Sequence, residues 1–106
     1  MKRLLAQLNP GATTLTTLYT APAARTIDIT ALCVCNQAGT AGSFRVSIGA
    51  RGAAENIKQY LFYDEAIAAN TTRLLSLPGL VMQSNDVMRV YGSSASLSFN
   101  LFGDEI

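Results

Sequence analysis

Apolar residues recur at every second position along most of this sequence. Phe44, Val46 and Ile48 alternate with Arg45, Ser47 and Gly49, and Leu97, Phe99 and Leu101 alternate with Ser96, Ser98 and Asn100. No run keeps the 3.6-residue period long enough to make a helix, so the chain must bury its apolar side chains from strands. Turn-forming residues cut it into short pieces. A first strand is expected over Leu4 to Leu8, ended by Asn9-Pro10-Gly11, and a second near Thr16 to Thr20, before Pro22.

The longest candidate runs from Arg25 to Asn36. It sets Ile27, Ile29, Ala31, Cys33 and Cys35 on one face and Leu32 and Val34 on the other, as a central strand would. After a turn over Asn36 to Gly42, the half-buried strand around Phe44 to Ile48 follows. Gly49 to Asn56 reads as a loop, with one helical turn over Ala53 to Asn56 as the alternative. Ile57 to Ile67 is aromatic-rich and strand-like. A further strand opens at Asn70-Thr71-Thr72 and ends at Pro78-Gly79. Leu80 to Met82 leads into the turn Gln83-Ser84-Asn85-Asp86, and Val87 to Tyr91 with Leu97 to Phe102 form a last hairpin across Gly92 to Ala95.

Seven or eight strands with turn signals every eight to twelve residues fit an all-β, two-sheet antiparallel sandwich of immunoglobulin-like or jelly-roll type better than the alternative, a barrel. The 106 residues show no composition break, so residues 1–106 form one domain. A chain of this size buries roughly 60 to 70% of its unfolded surface and needs no disulfide or metal to fold.

Charged residues make up only 14% of the chain, whereas hydrophobic residues reach 49%; an ordinary domain carries about 25% charged residues. The exterior is therefore under-charged, and part of it is expected to be covered by partners or by other copies. The net charge is +1, and the basic residues, from Lys2 and Arg3 to Arg89, are scattered along the chain. Phosphate backbones select a basic stripe, so nucleic acid is not expected as a partner.

Met1-Lys2-Arg3 followed by leucines resembles the opening of a signal peptide, but Gln7, Asn9 and Pro10 interrupt the apolar run, which reads as a first strand. No stretch approaches the ~18 apolar residues of a membrane span, and the expectation is a protein made and assembled in a cytoplasm without membrane contact. Cys33 and Cys35 are two apart on a strand, at or beyond the reach of a disulfide. They are expected to be reduced, buried, small apolar residues, since there is no histidine or third cysteine to complete a metal site.

Catalytic chemistry finds little footing. Without histidine, no Ser-His or Cys-His couple can form. The adjacent acids Asp64-Glu65 and Asp104-Glu105 point to opposite faces within a strand, although a long-range pair such as Asp28 with Asp64 stays open. The glycines do not match a phosphate loop, and Asp64, Glu65 and Asn70, or Asn85 and Asp86, lack EF-hand spacing for calcium. The chain is read as a non-enzyme with no cofactor.

The densest cluster of interest is Tyr60-Leu61-Phe62-Tyr63. Aromatic residues there fall on both faces, so one side either lines the core or leaves it as a subunit contact or sugar-stacking surface. Tyr60, Phe62, Tyr63 and, further along, Tyr91 form the candidate interaction surface.

Several segments in order resemble a known family. Leu-Ala-Gln-Leu (5 to 8), Thr-Thr-Leu-Tyr-Thr-Ala-Pro-Ala (16 to 23), Cys-Val-Cys-Asn (33 to 36), Ser-Phe-Arg-Val-Ser-Ile (43 to 48), Tyr-Leu-Phe-Tyr-Asp (60 to 64), Asn-Asp-Val-Met-Arg-Val-Tyr (85 to 91) and the terminal Leu-Ser-Phe-Asn-Leu-Phe-Gly-Asp-Glu-Ile carry it. Together they resemble the small β-sandwich virion structural proteins of tailed bacteriophages. The resemblance implies a non-enzymatic virion protein, assembled in the host cytoplasm, that docks on other virion proteins, as a symmetric homo-oligomer. It points to the tail, baseplate or fibre apparatus, with capsid decoration as the alternative. A module that binds host glycans through Tyr60, Tyr63 or Tyr91 is the competing reading.

Overall fold

A computed structural model describes residues 2–106, with the side chains of Lys2 and Pro78 set aside. Eight strands form: β1 (Lys2–Leu8), β2 (Thr16–Thr20), β3 (Ile27–Asn36), β4 (Gly42–Gly49), β5 (Tyr60–Ile67), β6 (Thr71–Met82), β7 (Val87–Gly92) and β8 (Leu97–Glu105). They make two four-stranded antiparallel sheets, ordered β1-β8-β3-β6 and β2-β7-β4-β5. Two single 3-10 turns, Ala50–Gly52 and Ile57–Gln59, interrupt the β4–β5 connection. The expected helical turn over Ala53 to Asn56 therefore falls on either side of that segment. Asn56 caps the second turn, its side chain accepting from the Lys58 amide while Gln59 reaches back to the Asn56 amide.

The pairing has a simple logic. β1 pairs with β8, β2 with β7, β3 with β6 and β4 with β5. This is one long antiparallel hairpin with its bend at residues 50–59. The hairpin is rolled over so that β3 also meets β8 and β4 also meets β7. Such a roll is the jelly-roll arrangement of eight strands, which decides between the two sandwich types. It also corrects one connection. β7 and β8 do not form a hairpin, because residues 93–96 carry the chain from one sheet to the other. Each strand is paired on the far sides instead, and both keep their apolar faces toward the shared interior.

The interior is built of apolar side chains from both sheets. Ile27, Ile29, Leu32, Val34, Phe44, Val46, Met82, Met88, Val90, Leu97, Phe99 and Leu101 are essentially without exposure, and Phe44 meets Phe99 edge-on across the sheets at 6.4 Å. At one seam Arg73 of β6 donates to Glu65 (2.9 Å) and to the Ala66 carbonyl (3.0 Å) of β5, with its guanidinium 5.6 Å from the Phe44 ring centre. This contact links the two sheets at their edge.

β3 is central, as expected, but its faces are not those of strict alternation. Its register shifts between Ile29 and Ala31 against both neighbours. The bulge lets Ile27 and Ile29 point inward before it and Leu32 and Val34 after it. Cys33 and Cys35 are consequently turned outward and only partly buried, which corrects their expected burial; both are free thiols.

The same irregularity explains why β6 continues past Pro78-Gly79 instead of stopping there. Gly79 adopts φ +82°, and pairing resumes with Leu80 opposite Ile29. β6 is an edge strand, where proline and a bulge are tolerated.

Gly103 marks the tightest approach. A β-carbon there would lie 2.6 Å from the Asp28 carbonyl oxygen and 2.9 Å from Leu5 Cδ1. Backbone cannot yield as a side-chain tip can. Gly103→Ala is expected to cost roughly 1 to 3 kcal/mol, read as a lowered midpoint in urea denaturation.

Candidate functional site

The outer face of the β2-β7-β4-β5 sheet carries the candidate residues. β4 sends Phe44 and Val46 into the core, so Arg45 between them projects outward, and on β7 the buried Val90 likewise leaves Tyr91 outside, opposite Arg45. β5 completes the site through two irregularities. Three steps of β5, from Phe62 to Glu65, oppose two of β4, and the next pairing, Tyr60 with Ser47, shifts again. Asp64 takes the left-handed conformation at the first shift, φ 51°.

In an unbroken strand Tyr60 and Tyr63 would face opposite ways. The bulged strand brings their rings together, 5.0 Å apart and nearly perpendicular (89°). The Arg45 guanidinium sits 4.1 Å from the Tyr63 ring centre and 4.2 Å from that of Tyr91. A continuous ladder results, Tyr60, Tyr63, Arg45, Tyr91, in which a cation is stacked between two π faces.

Hydrogen bonds hold the ladder in register. Arg45 Nε donates to Asp64 Oδ1 at 2.6 Å, and Nη2 to Oδ2 at 3.3 Å. This two-point contact fixes the guanidinium plane, and the bond to Asp64 holds the Arg45 pKa above its ordinary value. The Tyr60 hydroxyl donates to Glu55 Oε2 at 2.8 Å. Glu55, Ile57, Tyr60 and Tyr63 line a shallow hollow at this end, and Ile57 is 88% exposed.

Phe62 does not join the others. It is half buried against the core, 6.1 Å from Phe44. Three of the four sequence candidates are thus brought together. Arg45 and Glu55 were not singled out from sequence, and Asp64 was considered there only as an acid or a calcium ligand. The Phe-Arg-Val-Ser-Ile alternation does put Arg45 on a wet face, but nothing local says which aromatic rings will lie across from it.

Beside the ladder, Arg89 donates to the Ala53 carbonyl at 3.0 Å and ties the 50–59 bend to the sheet. Ser47 lies between Arg89 and Tyr60 in the register, fully buried, and its hydroxyl has no hydrogen-bond partner among the described residues. Such a group carries an uncompensated desolvation cost. Ser47→Ala is accordingly expected to raise the melting temperature, by an amount corresponding to about 1 kcal/mol.

No protein-family model matches the chain, and the search of curated proteins returns no match. Among solved structures the chain is similar to a chain in the structure of infectious bursal disease virus Gx strain, with a TM-score of 0.49 and 13% identity. That likeness covers 100% of this chain and 29% of the viral one, so this chain spans less than a third of the length of its structural neighbour.

Burial, followed by the Glu55 hydrogen bond and charge, raises the Tyr60 pKa above the usual phenol value. A raised folded-state value favours the neutral phenol. Its stabilising contribution is complete below the unfolded pKa of about 10 and is lost as pH rises through the higher folded value. Glu55→Gln removes the carboxylate charge and should move the Tyr60 ionisation back toward the ordinary value in an ultraviolet difference titration.

Proposed function

We propose that this chain is a non-enzymatic structural protein of a virion that docks on other virion proteins through the Tyr60-Tyr63-Arg45-Tyr91 ladder. The observation that carries the reading is the stacking of Arg45 between Tyr63 and Tyr91 with Asp64 holding its plane. Tyrosine and arginine dominate the energetically decisive positions of protein interfaces, and a stacked, hydrogen-bonded arrangement loses little conformational freedom on docking.

The low charge content and the phage-like sequence segments support the same reading. Jelly rolls serve in viral shells and in lectins alike, so the fold is compatible with the proposal without selecting it. Following the sequence resemblance, the docking site is assigned to the tail, baseplate or fibre apparatus of a tailed bacteriophage. Capsid decoration is the variant of the same reading that copy number separates: hundreds per particle for decoration, a few to a few dozen for the tail.

A second reading is favoured by one feature, the hollow where the Glu55 carboxylate meets Tyr60 and Tyr63. Rings for stacking and a carboxylate for hydroxyl groups suit a host glycan. Against it, Arg45 already occupies one face of Tyr63 and one of Tyr91, which leaves no flat tyrosine platform between them.

Tyr63→Ala is expected to weaken capture of the chain by purified virions lacking it at least tenfold, the scale of an interface anchor. The melting temperature should hardly move, because the Tyr63 ring is largely exposed. Undiminished capture would remove the ladder from the docking site. Binding to a glycan array that disappears in Tyr60→Ala would favour the second reading.

A further inference from the structure

The opposite sheet has an outer face of quite different chemistry. On β1-β8-β3-β6 the inner residues Leu32, Val34, Leu75, Phe99 and Leu101 are buried, so their alternates point out. Reading across the strands, one row holds Leu4, Phe102, Ala31 and Ser76, and the next Gln7, Asn100, Cys33 and Leu74. Ser98, Cys35 and Thr72 form a third. None of these carries a carboxylate, ammonium or guanidinium group. Leu74 is 68% exposed, Leu4 43% and Phe102 37%. The charged positions, Asp28, Asp104 and, opposite Asp104 in the register, Lys2, stand together at one end of the face, next to Val81.

We propose that this face is a two-fold contact with a second copy of the same chain, the strands of the two copies running in opposite directions. Three observations select that occupant. The rows are free of charge, so apposing two copies desolvates no ion, whereas a charged partner would bury one unpaired. The charged positions lie at one end, so a two-fold axis across the strands places them beyond the uncharged Ser98-Cys35-Thr72 row of the other copy.

Shape is the third. β3 contributes only Ala31, Cys33 and Cys35, a shallow trough, while Phe102 and Leu74 stand on the strands to either side. With the axis through the Asn100-Cys33-Leu74 row, Leu74 meets Leu74, Cys33 meets Cys33, and Phe102 covers the small Ser98 of the other copy. Four strands about 4.8 Å apart and about seven residues long present roughly 450 Å². A standard interface uses about 800 Å² per partner, so the contact is weak and populated at high concentration, as in an assembled particle.

The inference concerns the sheet opposite the ladder and does not rest on the virion reading. Its test is sedimentation velocity over a concentration series, together with cross-linking of the Cys35→Ser protein by a short bismaleimide. The expected result is a concentration-dependent dimer that cross-links through Cys33. Leu74→Glu, at an exposed position, should leave the circular dichroism and melting temperature unchanged and weaken association roughly tenfold or more by setting like charges across the axis. Tyr63→Ala should leave the dimer intact. A monomer at every concentration, cross-linking indifferent to Leu74→Glu, or a dimer lost with Tyr63→Ala would each overturn the proposal.

Discussion

Both sheets of this molecule depend on β3 burying apolar side chains along its whole length while lying between two hydrogen-bonded neighbours. Strict alternation cannot do this with Ile27, Ile29, Leu32 and Val34, whose spacing changes parity between Ile29 and Leu32. The bulge at that point absorbs the odd residue. β6 and β8 both shift register there, so one irregularity propagates across three strands. The kink of β6 at Gly79 and the close passage of Gly103 beside Asp28 lie at the same level of the sheet.

The inward turn of Leu32 and Val34 has an outward counterpart. It presents Cys33 and Cys35 on the outside, in line with Leu74, Asn100 and Ser98. Apart from the charged end at Asp28 and Asp104, the β1-β8-β3-β6 sheet is therefore apolar or neutral on both faces, although among the described residues only one face is packed against the other sheet. The other sheet is finished differently. Its exterior carries Arg45, Arg89, Asp64 and three tyrosines, with aromatic stacking and ion pairing in place of bare apolar surface. The two faces are suited to different occupants, and the shortage of charge in the composition is concentrated on one of them.

The ladder shows how backbone irregularity makes a site. Tyr60 and Tyr63 are an odd number of residues apart, and without the bulged pairing of β5 one of them would be lost to the core side. Asp64, in the left-handed conformation at the bulge, is also the residue that fixes the plane of Arg45. A local distortion that costs backbone energy thus orients the cation that joins β5 to β7.

Much was legible in the residues themselves. Period-two apolar patterns at Phe44 to Ile48 and Leu97 to Leu101, with breakers at Pro10, Pro22 and Asn85, determined an all-β chain and most strand positions, because alternation and turn chemistry are local. The aromatic cluster at 60–63 was visible for the same reason. What only the tertiary structure decided is non-local: that β7 and β8 belong to different sheets, that Cys33 and Cys35 face outward, that Phe62 turns inward, and that Arg45 lies between Tyr63 and Tyr91. Each depends on a bulge or on the rolling of one long hairpin, and those are settled by which strands pair, an outcome no short stretch of sequence encodes.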